Sequence, residues 1–207
     1  MITPEFLAIW LAWTLAGASP GPATLGIAST AMARGRRAGL GFALGILAGS
    51  ASWGIAAALG VSALMLANAW VFEIIRYAGA SYLLWLAFKA LKRVLQPSEQ
   101  GALSRPYQGS FTRLFTKGAL VHLTNPKAII GWGSIYAIAA PAEASVATLF
   151  GYFGLLFSAS ICVFLGYAVL FSSPQAVRLY RGLSRWFDLL FAGFFGVASF
   201  KILSARL

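Results

Sequence analysis

The sequence is poor in charged and ligand-forming side chains. Among its 207 residues are five acidic side chains, one histidine (His122) and one cysteine (Cys162). A single cysteine excludes a disulfide within the chain, and one histidine with so few carboxylates offers no usable spacing for a metal site. Only 10% of the residues are charged, against roughly a quarter in an average soluble domain. These deficits argue against a metalloenzyme and against an ordinary soluble fold, and we expect no cofactor.

Apolar side chains are abundant instead. They make up 59% of the chain, and the mean hydropathy is +0.78. A run that crosses a hydrocarbon core of about 30 Å needs about 20 residues, and six such runs can be placed. We therefore predict an all-α integral membrane protein with six transmembrane helices. A rival count of five omits the fourth run, which contains Lys117, His122 and Lys127. The predicted spans are Phe6–Ala33, Ala38–Leu66, Trp70–Leu91, Phe115–Ala140, Ala144–Ser172 and Trp186–Leu203.

The net charge of +11 is concentrated between alternate apolar runs. In a soluble chain such a charge would suggest nucleic-acid binding, but this alternation is typical of cytoplasmic loops. We therefore predict no nucleic-acid partner, basic loops in the cytoplasm and both termini in the periplasm, with Lys201 and Arg206 as a minor exception. The basic residues of the first, third and fifth connections are Arg34, Arg36, Arg37, Lys92, Arg93, Arg105, Arg113, Arg178, Arg181 and Arg185.

A linker-like segment divides the chain into two halves. Residues 96–112 are rich in proline, glycine and polar side chains, so we predict a single membrane domain (1–207) made of a three-helix repeat (1–95), a cytoplasmic linker (96–112) and a second repeat (113–207). Because three is an odd number of spans, the second repeat must enter the membrane from the opposite side. This is the inverted-topology plan of many transporters. A shift of 106 positions aligns Pro20 with Pro126.

Prolines interrupt the first and fourth runs at equivalent places. The sequences are ASPGPATLG at Ala18–Gly26 and LTNPKAIIG at Leu123–Gly131, in which proline removes backbone donors and disfavours helix before it. Either break alone reads as a simple proline kink. A pair of breaks at equivalent depths instead indicates a binding site near the middle of the membrane, because freed backbone groups there need polar partners or a cavity.

Lys127 strengthens this hypothesis, because an ammonium near the bilayer centre costs about 2.5 to 3.5 kcal/mol. It either pairs with backbone carbonyls at the break, reaches the cytoplasmic interface, or meets the negative group of a solute. Tyr82 lies deep in its run and can face a substrate ammonium or simply pack. The candidate substrate-binding residues are Ser19, Pro20, Gly21, Pro22, Thr24, Thr124, Asn125, Pro126, Lys127 and Tyr82.

Three other patterns give structural expectations. Gly41, Gly45 and Gly49 repeat every four residues, which predicts a stripe for close helix packing. Asp188 is expected to pair with the neighbouring Arg185. Trp13 falls near a predicted helix end and is assigned to an interfacial aromatic belt.

These motifs also carry a family resemblance. SPGP at Ser19–Pro22, the glycine-rich second helix, GASYLLWLAFKAL at Gly79–Leu91 and NPKA at Asn125–Ala128 together resemble the LysE/RhtB family of amino-acid exporters. The resemblance implies a bacterial inner-membrane exporter of amino acids or related metabolites, driven by exchange with protons. It also implies that the SPGP and NPK residues contribute to the site.

The functional prediction is an alternating-access exporter and not an enzyme. The predicted core holds one cation and no carboxylate, which suits an amino-acid-like substrate of neutral or negative net charge. The alternatives are a passive channel, or a membrane-embedded enzyme, which would need converging catalytic groups. His122, Glu73 and Asp188 are the available proton carriers, all expected nearer the helix ends. The predicted partners are a small solute, the lipid bilayer and a possible second copy of the chain.

Overall fold

The computed structural model describes residues 4–67, 69–95, 105–139 and 144–204, and these form α-helices joined by short connections. The all-α prediction is confirmed for this part of the chain. In chain order the helices are α1 (Pro4–Ala18), α2 (Pro22–Arg34), α3 (Arg36–Ala67), α4 (Ala69–Leu95), α5 (Phe111–Leu123), α6 (Pro126–Ala139), α7 (Val146–Leu170) and α8 (Pro174–Ser204).

Both predicted interruptions are present. The first run is divided into α1 and α2, of 15 and 13 residues, and the fourth into α5 and α6, of 13 and 14 residues. Pro22 and Pro126 each take the first position of the helix that follows, where a missing N–H costs no hydrogen bond. Each piece is shorter than the roughly 20 residues that a membrane crossing needs, so only two pieces in succession can span.

Two helices begin four or more residues before the predicted spans. α5 begins at Phe111 rather than Phe115, and α8 begins at Pro174 rather than Trp186. Hydropathy marks only the apolar part of a helix, whereas the backbone hydrogen bonds continue through basic turns such as that of Arg178. The hydroxyl of Ser110 caps α5 by accepting the backbone N–H of Arg113, which fixes its earlier start.

The surface and the length of the helices suit a bilayer. Among the described residues, Arg36–Gly60 and Val146–Leu170 are long and apolar enough to cross a membrane unaided. Large apolar side chains on α4 and α8 face outward, including Phe88 at 64%, Trp186 at 67% and Phe200 at 72% exposed. Water penalises such a surface, and lipid does not.

The two halves of the chain interleave rather than stand side by side. α3 of the first half packs on α5 and α7 of the second, α1 packs on α7, and α4 packs on α8. The predicted glycine stripe is the contact surface of α3 for α5. A Cβ at Gly45 would overlap the Phe115 carbonyl oxygen, and one at Gly49 would lie 2.9 Å from the Cβ of His122. The expectation of close packing is confirmed.

The pairing predicted for Asp188 is wrong. Its Oδ1 accepts hydrogen bonds from Nη2 of Arg93 at 2.6 Å and Nε at 2.8 Å. This ion pair joins α8 to α4 across the packed interface of the two halves. The rotation of α8 about its axis directs Asp188 toward α4, which spacing along one helix cannot reveal.

Three basic connections meet at one end of the molecule. Nη1 of Arg34, in the first connection, donates to the carbonyl of Gly109 in the third at 3.0 Å. Nε of Arg36 donates to the hydroxyl of Ser172, at the end of α7, at 3.5 Å. Gly35 turns the chain between α2 and α3 with a φ of 81°, a value that glycine adopts without strain.

Candidate functional site: a cavity at the two helix breaks

A cavity of about 440 Å³ lies where the broken helices meet. This volume is within the range of sites that enclose small molecules. Its walls come from both halves of the chain, and its lining is largely apolar. At the breaks themselves the cavity is bordered by Gly21, Thr24, Asn125 and Lys127.

Lys127 crosses from one break to the other. Its Nζ donates to the carbonyl oxygen of Ser19 at 2.8 Å and also to the hydroxyl of Ser19. Ser19 itself is 2% exposed. Lys127 therefore pairs with a backbone carbonyl at a break, which was one of the three alternatives from the sequence. Its side chain also lines the cavity. An ammonium has three N–H donors. Two of them are used by Ser19, and the third makes no hydrogen bond to the described residues, so it is available to a solute.

The carbonyl groups freed by the breaks are satisfied from the opposite half of the chain. The hydroxyl of Tyr167, on α7, donates to the carbonyl of Ala18 at the end of α1 at 2.7 Å. Nε1 of Trp53, on α3, donates to the carbonyl of Leu123 at the end of α5 at 3.2 Å. Because buried backbone groups are costly when unpaired, these donors hold both helix ends in place. The breaks are therefore built features of the fold and not simple kinks.

The helix starts that follow the breaks are capped by side chains. The hydroxyl of Thr24 accepts the backbone N–H of Gly21 at 3.1 Å, and Oδ1 of Asn125 accepts the backbone N–H of Lys127 at 3.0 Å. Helix N-termini carry a partial positive charge. Two of them converge on one cavity, together with the ammonium of Lys127.

The candidate residues from the sequence divide into two groups. Gly21, Thr24, Asn125, Lys127 and Tyr82 line the cavity, and Ser19 touches it through Lys127. The others shape the breaks without lining the cavity: Pro20, Pro22, Thr124 and Pro126.

His122 belongs to the cavity, contrary to its expected place away from the site. It lies in the last turn of α5, is 5% exposed and lines the cavity. Its Nδ1 is buried without a hydrogen-bond partner among the described residues. Buried unpaired polar atoms are rare and call for an explanation. The signal in the sequence was its position, shortly before Asn125 and Lys127.

Two tryptophans form an aromatic wall, which we define as Trp13 and Trp132. Their ring centroids are 4.6 Å apart, and both line the cavity. The interfacial assignment of Trp13 is wrong, because its ring lines the cavity and packs against Trp132. Nε1 of Trp13 donates to Ser160 at 2.9 Å and that of Trp132 to Ser50 at 3.2 Å.

The electrostatic environment of the cavity is positive. No carboxylate is among its described lining residues, which include Lys127. In the part of the chain that the structure describes, no three metal-binding side chains cluster. The arrangement is suited to hold an anionic group.

Comparison with known proteins identifies the family. Residues 15–206 match the family described as LysE type translocator. The threonine efflux proteins of Salmonella typhi and of Escherichia coli K12 are each 32% identical over 194 residues, which cover 91% of this chain and 94% of the relative. The leucine efflux protein of Salmonella choleraesuis is 34% identical over 117 residues, 56% of this chain and 54% of the relative. No solved structure gives a significant match. The chain belongs to the LysE type translocators, a family of inner-membrane transporters and not of enzymes.

Proposed function

We propose that this protein exports amino acids from the bacterial cytoplasm across the inner membrane, by alternating access around the cavity at the two breaks. The observation that carries the proposal is Lys127, a lining residue of one broken helix whose ammonium is hydrogen-bonded to Ser19 at the other break. Relatives that match over 94% of their length and are named as threonine efflux proteins support an amino acid as the substrate class.

The substrate carboxylate is recognised by the remaining donor of Lys127. The N-termini of α2 and α6 add partial positive charge at the same point. Because the described lining holds no carboxylate, a second positive charge on the substrate would meet no counter-charge. The favoured cargo is therefore a zwitterion of neutral or negative net charge and not a dication such as lysine.

The proposed topology has six spans arranged as two inverted repeats, 1–95 and 113–207, joined by the linker 96–112. Each repeat contributes one broken span (α1 with α2, α5 with α6) and two continuous ones. The reciprocal packing of α1 on α7 and α5 on α3 supports this symmetry. The hydrogen bonds of Arg34 and Arg36 gather the basic connections at one end, which supports a cytoplasmic end there and periplasmic termini.

Exchange with protons is the proposed driving force, and His122 is the group that suits it. It is the only histidine in the chain, it shares the cavity with Lys127, and its Nδ1 has no hydrogen-bond partner among the described residues. Intramembrane histidines commonly serve as proton carriers in transporters. A protonated His122 and a substrate ammonium would repel each other in one cavity, which couples their movements in opposite directions.

The decisive experiment is counterflow in proteoliposomes. Purified protein is reconstituted into vesicles that are each loaded with one of the twenty amino acids. Uptake of the same amino acid in labelled form is then measured. We expect rapid exchange of at least one zwitterionic amino acid. In Lys127→Ala the rate of exchange should fall at least about 100-fold. The control Lys92→Ala, which removes an exposed lysine of α4, should exchange at the wild-type rate.

Three results would overturn the proposal. Exchange of dicationic amino acids alone would refute the charge argument. Undiminished exchange in Lys127→Ala would remove this residue from the site. An amino acid that equilibrates but never accumulates, even with a pH gradient imposed, would identify a passive channel instead.

A further inference from the structure

The aromatic wall lies at a defined distance from the carboxylate-binding end of the cavity. Trp132 follows Lys127 by five residues on α6, about 7.5 Å along a helix that rises 1.5 Å per residue. Trp13 precedes Ser19 on α1 and packs against Trp132, with ring centroids 4.6 Å apart. The end of a substrate that is not held by Lys127 can therefore reach these two rings, which line the same cavity.

The wall presents apolar ring faces rather than hydrogen-bond donors. The indole N–H groups of both tryptophans are bonded to serine hydroxyls, Ser160 for Trp13 and Ser50 for Trp132. The hydroxyl of Ser160 in turn donates to a carbonyl of its own helix, that of Leu156. The polar atoms closest to the rings are thus engaged within the protein.

The residues around the two rings are small or aliphatic. Ala12 and Gly131 line the cavity with small residues, Gly131 lies next to the Trp13 ring, and Ile9 and Ile135 extend the apolar surface. Ser50, Ser134 and Ser160 add hydroxyls to the lining, and those of Ser50 and Ser160 already accept the indole N–H groups. A charged group in these surroundings would lose its hydration without compensation, whereas an apolar side chain gains by leaving water.

We infer that the Trp13–Trp132 wall selects amino acids with bulky apolar side chains, branched aliphatic or aromatic, over small hydroxylated ones. This inference rests on the proposed function and names the substrate class of the same cavity. Against the ring faces a substrate hydroxyl would lose its hydrogen bonds to water, which lowers affinity about tenfold or more. The selectivity is therefore expected to differ from that in the names of the threonine efflux relatives.

Competition in counterflow tests the inference on the wild-type protein. Proteoliposomes are loaded with leucine, uptake of labelled leucine is measured, and valine, isoleucine, phenylalanine, threonine and serine are added outside as competitors. We expect the apolar competitors to reach half-inhibition at concentrations at least about tenfold below those for threonine and serine. Labelled threonine is tested in parallel.

Variants locate the selectivity in the wall. Ala12→Leu enlarges a lining side chain that precedes Trp13 in α1, so the half-inhibitory concentrations of leucine and phenylalanine should rise at least about tenfold while that of alanine changes little. Ala56→Leu, the same substitution at an exposed position of α3, should change neither. Gly131→Ala is a milder second variant, because its Cβ would lie 3.6 Å from the Trp13 ring, and it should shift selectivity in the same direction.

The outcomes separate this inference from the proposed function. Threonine exchange equal to or faster than leucine exchange would overturn the inference and leave amino-acid export standing. Equal effects of Ala12→Leu and Ala56→Leu, with no shift in Gly131→Ala, would overturn the assignment to the wall. Absence of counterflow for every amino acid would instead overturn the proposed function.

Discussion

The ammonium of Lys127 is hydrogen-bonded to Ser19, a residue 108 positions earlier in the chain. It donates to both the carbonyl and the hydroxyl of Ser19, so one side chain ties the second helix break to the first. A buried cation without a carboxylate partner is expensive. Its polar partners in the described structure come from the backbone and hydroxyl groups at the breaks, which leaves its charge available to a solute.

Removing the hydroxyl of Ser19 should weaken substrate binding without unfolding the protein. In Ser19→Ala, Lys127 keeps the carbonyl of residue 19 but loses a charge-assisted hydrogen bond, and its position becomes less defined. We expect the half-saturating substrate concentration in counterflow to rise about tenfold. Ser52→Ala is the matched control, because the Ser52 hydroxyl is exposed and bonds only the carbonyl of Ala48 in its own helix. A similar rise in both variants would contradict a specific role for Ser19.

The contact between α3 and α5 should be intolerant of even one methyl group at its centre. Gly45→Ala places a Cβ on the Phe115 carbonyl oxygen, and overpacking of this kind costs about 1–3 kcal/mol or more. Gly60→Ala lies on the same helix, with no atom within 4 Å of the added Cβ, and should leave stability unchanged or raise it slightly. Thermal unfolding in detergent, followed by tryptophan fluorescence, measures the difference. Equal melting temperatures would show that this close approach is not maintained.

His122→Gln should separate exchange from proton coupling. Glutamine preserves a polar side chain of similar reach but cannot carry a proton at neutral pH. We expect counterflow at equal internal and external pH to persist, whereas accumulation driven by a pH gradient should fall to background. The pH change that accompanies transport, read with an internal fluorescent indicator, should disappear as well. Gradient-driven accumulation at the wild-type level in this variant would exclude His122 as the coupling group.

The ion pair between Arg93 and Asp188 should contribute measurably to stability. Asp188 is 14% exposed in its side chain and Arg93 is 37% exposed, so solvent screens the pair only in part. Arg93→Gln should lower the free energy of unfolding by about 1–2 kcal/mol, because it leaves Asp188 without its partner. Arg185→Gln is the control, since the sequence suggested that residue as the partner. The reverse ranking, with Arg185→Gln the more destabilising, would argue against the observed pair.

The breaks at Pro20 and Pro126 could be predicted because their cause is local. A proline removes a backbone donor wherever it stands, and the depth of each proline follows from counting along an apolar run. The place of His122 and Trp13 could not be predicted in this way. Hydropathy reports how apolar a segment is, but not which face of a helix points at its neighbours. Distance from the ends of an apolar run, taken alone, places both residues outside the site.

The sequence by itself therefore determined the all-α class, the two interruptions and the glycine stripe of α3, since each follows from backbone chemistry or from the periodicity of one segment. The tertiary structure decided which groups meet: Lys127 with Ser19, Asp188 with Arg93, and Trp13 with Trp132. These pairs join residues far apart in the chain, and their contacts depend on how each helix is rotated about its axis. That rotation is set by packing between helices, which no single segment encodes.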